Sequence, residues 1–362
     1  MIKRFAVLLT FATVGGWVLA APPPPVLTLH VAQEVATAPV IDGQLDDACW
    51  QTLPQNSTFY RFTSMTPAPT PLQTVFQLGY DAKGMYLGIR LYEKDMSKIK
   101  ATITQRGDQS LWTDDSVELY FDSNATSVGF RKFMLNALAT KSSLYRMDPA
   151  NVDQSWSPDG WQAATSRDDR GWYIEAFFPW DELGRTAKDG DLWRFALCRF
   201  SWSANALASS SVGASYTAPE RYGWLLFLKT RSEDVGGLAA QLKTRVPGDW
   251  LLPFQDKAIV KTGDQIAVTS MSAILTGLRD ETRDQLGECR KLAAGDTNAL
   301  ARCEAVSTNL AAATVATTDP IVFQQGTLAL AACGAQLEDL KYAALLRELL
   351  AAQASPLPAA KP

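Results

Sequence analysis

The chain has 362 residues, 47% of them hydrophobic and 20% charged, with a net charge of −4. This is a globular balance, long enough for two domains of ordinary size. With no basic runs or lysine clusters, it argues against nucleic acid or an anionic membrane surface as partner.

At the start, Met1-Ile2-Lys3-Arg4 is a positive n-region and Phe5 to Leu19 an apolar stretch too short and glycine-interrupted for a membrane span. Val18-Leu19-Ala20 has the small-residue pattern that a signal peptidase accepts. We therefore expect a bacterial-type signal peptide over 1–20, cleaved after Ala20, and a stiff Pro-rich spacer over 21–26. The mature protein is then periplasmic or secreted, and no later segment is apolar enough to span a bilayer.

From about 27 to 230 the chain reads as strands. "TVFQLGY" and "MYLGIRLY" alternate about the turn Asp81-Ala82-Lys83-Gly84. "SVELYFD", "KFMLNALAT", "WQAATS", "GWYIEAFF", "LWRFALCRF" and "GWLLFL" continue the series. Many short strands with regular turn signals predict an antiparallel, jelly-roll-like β-sandwich. Within it, "PWDELG" reads as a single helical turn, and Trp50, Trp161, Trp172, Trp180, Trp193 and Trp224 read as core.

Over 231–355 the pattern turns helical. "SMSAILTGLRDETRDQLGECRKLAA", "NALARCEAVSTNLAAATVA" and "QLEDLKYAALLRELLAAQ" carry apolar residues at three- and four-residue steps. They predict a small α-helical domain, with Leu337, Leu340, Ala344, Leu345 and then Leu349 on one buried stripe, followed by a tail over 356–362. Cys289 and Cys303 lie symmetrically about the turn "AAGDTNA", and an antiparallel helix pair would bring them together as a disulfide. Cys49 and Cys198 read as core residues, and Cys333 as free or paired. With His30 the only histidine, no zinc set and no histidine-dependent nucleophile is available.

The stretch "SLWTDDSVELYFD" (110–122) stands out, because a tryptophan and two adjacent carboxylates run into a strand. Trp112 is either a core ring or one wall of a sugar site, where an indole stacks on the C–H face of a pyranose and Glu118 accepts hydroxyl hydrogens. Asp114 and Asp115 have three readings. They accept backbone N–H groups in a turn, they bind a hard cation such as calcium, or Asp115 joins Glu118 as a glycosidase acid–base pair. The cluster Asp42, Asp46 and Asp47 is another cation candidate, and Glu118 with Glu175 another acid pair.

Four motifs in order, "PVIDGQLDDACW", "LWTDDSVELYFD", "GWYIEAFFPWDELG" and "RYGWLLF", resemble the family 9 carbohydrate-binding modules and their wider superfamily (DOMON-like), over about 39–228. The resemblance implies a β-sandwich that sandwiches a sugar between two aromatic rings, with calcium as a structural ion elsewhere. It assigns the rings to Trp112 and Tyr216, and the polar contacts to Glu118 and Asn136. Met134 and Cys198 stand where the family carries an arginine and a glutamine. The expected function is an exported, non-catalytic carbohydrate-binding protein that assists polysaccharide breakdown beside partner glycoside hydrolases. The alternatives are a hydrolase acting on O-glycosyl bonds, a haem-binding relative, for which His30 and methionines such as Met134 or Met147 are the available ligands, or a structural envelope protein.

Overall fold

The computed structural model describes residues 25–62, 70–211, 218–230 and 234–354. The expected signal peptide, all of the spacer but Pro25 and Val26, and the C-terminal tail lie outside these residues. The described chain divides into two compact units, one within Thr28–Glu233 and the other from Asp234 onward together with the stretch up to Leu27.

In the first unit, β1 (Leu29–Glu34) precedes a short helix, α1 (Ala48–Thr52), and β2 (Tyr60–Arg61). Then come the hairpin β3 (Thr74–Tyr80) and β4 (Gly84–Tyr92), β5 (Ser116–Asp122), β6 (Phe130–Asn136) and β7 (Lys141–Arg146). β8 (Val152–Asp153), β9 (Gln162–Arg167) and β10 (Gly171–Pro179) lead into α2 (Trp180–Leu183), the single turn ended by Gly184 at φ 80°. β11 (Leu192–Ser201), β12 (Ala206–Ser209) and β13 (Gly223–Leu228) complete the unit.

These strands hydrogen-bond in the order β8-β7-β6-β5-β11-β13-β1-β3-β4-β10-β9, with β12 paired to β11 and to β2. The sheet curls over on itself. Phe133 of β6 and Phe178 of β10 sit near opposite ends of that order, yet their ring centroids are 4.9 Å apart. Val117, Leu119 and Phe121 of β5 face this shared core with Phe76, Phe195 and Trp193, as the alternation requires. The fold is the expected β-sandwich, and the six tryptophans read as core are all buried. One feature departs from the antiparallel expectation. β1 runs parallel to both neighbours, β13 and β3. No hairpin ties β1 to either strand, so its direction is free of the constraint a tight turn imposes.

The second unit corrects the expectation of a wholly helical region. After α3 (Val235–Arg245) comes an antiparallel meander of β14 (Trp250–Phe254), β15 (Lys257–Thr262) and β16 (Gln265–Ser270). Its turns place Gln255 and Gly263 at positive φ, 55° and 56°. α4 (Met271–Leu292), α5 (Thr297–Ala312) and α6 (Pro320–Ala354) follow, with Ser270 and Asp296 capping the first two of these helices. Leu337, Leu340 and Ala344 are buried as expected, but Leu345 is half-buried and Leu349 exposed. Among the described residues no helix is long and apolar enough to cross a membrane.

The expected Cys289–Cys303 disulfide is also corrected: all five thiols are free. Both sulfurs enter the helical core, but Cys289 Sγ donates to the Leu337 carbonyl of α6 at 3.2 Å instead of meeting Cys303. Burial pushes both thiols above their ordinary range.

Candidate functional site

Trp112 rides on a 3-10 turn, Gln109–Thr113, that leads into β5. Asp108 starts the turn by accepting from the Ser110 N–H and hydroxyl at 2.8 and 2.6 Å. The tight turn drives Leu111 fully into the protein and swings Trp112 outward, where it is 45% exposed. That exposure sets this ring apart from the six buried tryptophans of the core.

Asp114 and Asp115 follow the turn directly, and both are buried. Asp114 accepts from the Thr102 N–H and hydroxyl at 2.9 and 3.0 Å, from the Ile103 N–H at 2.9 Å, and from Asn136 Nδ2 at 3.0 Å. Burial alone would raise its carboxyl, but these donors outweigh it and hold the group below the usual range. Asp115 accepts from the Lys100 N–H at 2.7 Å and the Trp202 N–H at 3.1 Å. Here burial wins, helped by the nearby Glu93 charge, and the carboxyl is raised. Of the three readings, the backbone-binding one describes this pair.

All four carboxylate oxygens of Asp114 and Asp115 are thus engaged by N–H or hydroxyl donors. Asp42 and Asp47 likewise accept from the Gln44 and Val40 N–H groups. Among the described residues no cluster of three His, Cys, Asp or Glu side chains is placed to hold a metal ion.

The register aligns the positions expected to be polar. Glu118 lies directly across from Met134 of β6 on one side and Cys198 of β11 on the other. Glu118 is buried, ion-paired with Lys132 Nζ at 2.6 Å and hydrogen-bonded by the Tyr120 hydroxyl. Asn136 is also buried, and its amide is fully used. Nδ2 donates to the Ile103 carbonyl at 2.8 Å and to Asp114, while Oδ1 accepts from the Leu138 and Thr140 N–H groups at 3.0 and 2.9 Å. The structure thus places Asn136 as a strut under Asp114, and Glu118 in an ion pair between Lys132 and Tyr120. Tyr216 lies outside the described residues.

Sequence reasoning passed over Trp202, which caps β11 and is 44% exposed. Its Nε1 donates to the Trp112 carbonyl at 3.2 Å, and Lys100 Nζ lies 5.3 Å from its ring centroid. The Phe200 ring stands 6.4 Å from Trp112. Its turn is anchored inward by Glu93, which accepts from the Ser201 and Ser203 hydroxyls and pairs with the buried Arg199 at 2.5 Å. Arg199 in turn donates to the Gln73 and Tyr92 carbonyls, joining β11 to the ends of β3 and β4.

Each of the acids considered as a pair is engaged by partners of its own. Glu175 is fully buried, accepting from Trp50 Nε1 at 2.7 Å and from the Gly43 and Asp42 N–H groups at 2.8 and 3.0 Å. Burial raises its carboxyl against those donors. It clamps the N-terminal motif onto β10, while Glu118 on β5 is held by Lys132. His30 is buried too, its ring edge-on to Phe76 and Phe195 at 5.0 and 5.6 Å.

The family described as carbohydrate family 9 binding domain-like matches residues 41–225, just over half of the chain. Two structures of a family 9 carbohydrate binding module from Caldicellulosiruptor kristjanssonii are similar to it, one in complex with glucose and one with cellotriose. Each is 18% identical and covers 57% of this chain, with TM-scores of 0.40 and 0.41 and coverage of 98% and 96% of the module. A Bacteroides uniformis protein matches at 11% identity and a TM-score of 0.44, over 56% of this chain and 99% of its own. A search of curated proteins finds no match.

Proposed function

The chain belongs to the carbohydrate family 9 binding domain-like family, and on that premise we propose that it is an exported, non-catalytic protein that binds saccharide at the sandwich edge carrying Trp112. One observation carries the reading: an indole left 45% exposed on a tight turn that Asp108 caps and that leads directly into the buried Asp114 and Asp115. A half-exposed tryptophan forgoes much of the burial free energy of its ring, on the order of 1–2 kcal/mol, and a rigid mount under it favours binding by removing ordering cost. Stacking on a pyranose C–H face is the chemistry such a ring offers. The sugar would serve polysaccharide breakdown by partner hydrolases in the periplasm or outside the cell.

The test pairs a glycan array and titration with a thermal melt on the full-length mature chain. Trp112→Ala is expected to lose about 2–4 kcal/mol of sugar binding, as for a central aromatic anchor, with little change in the melt. A loss of roughly 3–5 kcal/mol of stability, as for a core ring, would assign Trp112 to packing and remove the reading.

A further inference from the structure

We infer that Asn124 is a modification site, the acceptor for N-linked transfer of an oligosaccharide from a lipid pyrophosphate donor. The inference rests on the export proposed above and goes beyond it, since it names a covalent site away from Trp112. The chain contains two Asn-x-Thr sequences, Asn56-Ser57-Thr58 and Asn124-Ala125-Thr126. The structure separates them. Asn56 is engaged at both ends of its carboxamide, with Oδ1 3.3 Å from Nδ1 of the buried His30 and Nδ2 donating to the Phe76 carbonyl at 3.4 Å. Its backbone N–H and carbonyl both pair with Phe76 as well. Asn124 is exposed, and among the described residues its side chain has no hydrogen-bond partner.

Local chemistry builds this presentation. The loop from Ser123 to Gly129 joins β5 to β6, and the Ala125 N–H closes a turn on the Asp122 carbonyl at 3.1 Å. Asp122 is buried, and its carboxylate accepts from the Ser127 N–H at 2.6 Å. Ala125 and Ser127 have φ of 53° and 60°, in the left-handed region that non-glycine residues rarely enter. The chain therefore bends sharply between Asn124 and Thr126, and both of those residues are exposed. The Thr126 hydroxyl, which a transferase has to read, makes only long contacts, to Asp122 Oδ1 at 3.5 Å and from the Val128 N–H at 3.3 Å. Asp122 also completes the longer pattern Asp-x-Asn-x-Thr, whose carboxylate is free for a cationic pocket until β5 and β6 pair.

A carboxamide nitrogen is a weak nucleophile, because its lone pair is delocalised into the carbonyl. The transferase supplies the activation and the acceptor supplies access, which Asn124 has and Asn56 lacks. In the transfer, Asn124 Nδ2 forms a bond to the anomeric carbon of the first sugar and gives up one proton. The bond from that carbon to the lipid pyrophosphate breaks, and the pyrophosphate leaves with the electron pair. The product sets a hydrated glycan at the end of the sheet where Val128, Met147 and Val152 are exposed. Gly129 packs against the Met147 carbonyl and Arg146 pairs with Val152, so the three lie on adjoining segments. Sugar over apolar side chains is a solubility gain for an exported protein. β5 has seven residues, about 20 Å at the usual strand rise, so the glycan leaves the Trp112 turn at its other end open.

The experiment is peptide mapping by mass spectrometry of the full-length chain recovered from the organism that makes it, for the wild type, Asn124→Gln, Thr126→Ala, Thr126→Ser and Asn56→Gln. Trypsin releases Asn124 within 107–131, and Asn56 within 21–61 once residues 1–20 are removed. The 107–131 peptide should carry an oligosaccharide on Asn124, lost in Asn124→Gln and Thr126→Ala and kept in Thr126→Ser and Asn56→Gln. Retention in Thr126→Ser ties the loss in Thr126→Ala to the hydroxyl and not to misfolding. The 21–61 peptide should start at Ala21 and carry no sugar. A chain that starts at Ala21 with Asn124 unmodified, or with the glycan on Asn56 instead, overturns this inference and leaves export standing. A chain found only with residues 1–20 attached inside the cell overturns the export reading, and this inference with it.

Discussion

Burial of His30 ties the stability of the sandwich to pH. The ring sits on β1 with 2% exposure, between the edges of Phe76 and Phe195, and its Nδ1 is 3.3 Å from Asn56 Oδ1. Burial pushes its pKa down from 6.5 to about 4, against smaller opposing contributions from Asn56 and the Ser210 backbone. Between these values the unfolded chain carries a proton that the folded one refuses, so stability rises with pH across the window. It is complete above about 6.5 and falls by roughly 3 kcal/mol as pH drops to about 4. Since this is the only histidine, replacing it isolates the effect. Urea unfolding followed by tryptophan fluorescence from pH 7.5 to 4.5 should show a steeper loss for wild type than for His30→Phe. Carboxyls raised by burial, such as those of Glu175 and Asp115, act in the opposite direction and cancel in the comparison. Equal slopes, or an imidazole that titrates near 6.5 by NMR in the folded protein, would refute the argument.

Asn136→Asp places a carboxylate against Asp114 and removes the amide donor between them, costing about 2–3 kcal/mol at neutral pH. The deficit should shrink in melts below about pH 5, as the crowded pair takes up a proton. Arg199→Met leaves Glu93 buried without its cation and should cost about 3–5 kcal/mol. Adding Glu93→Gln should restore part of that loss, and a double-mutant cycle that finds the two changes simply additive would contradict the pairing.

Sequence revealed what depends on short range. "SVELYFD" became β5 residue for residue, and Asp81–Gly84 turned the β3–β4 hairpin, because alternation and turn chemistry act within a few positions. The β14–β16 meander escaped notice because Pro253 and the charged turns break its alternation between two helical stretches. Asn136 is a strut because residues 102, 103, 114, 138 and 140 converge on it or on the carboxylate it holds, and most of these meet only after folding. The partnership of Glu118 with Lys132 depends on which residues of β6 face β5, and register is not written in either strand alone. Trp202 looked like any turn residue, since its exposure is set by Glu93 and Asp115, which lie far from it along the chain. The adjacent Ser-Trp-Ser, with hydroxyls on both sides of an aromatic ring before a turn, is the one local signal that could have drawn attention to it.

The placement of β1 between β13 and β3 sets an order of assembly. The first strand of the sandwich occupies the middle of the sheet, and one of its two partners is the last strand made. Until Gly223–Leu228 is available, β1 has an open edge and the two halves of the sheet have no completed seam. Closure therefore waits on a contact between the two ends of the unit, the slow kind of event in β-rich folding. In a ribosome-bound or partly translocated chain the sandwich would remain unsealed until nearly all of this unit, through Leu228, had emerged. For a protein proposed to leave the cytoplasm this delay is useful, because a chain that cannot finish folding early stays threadable.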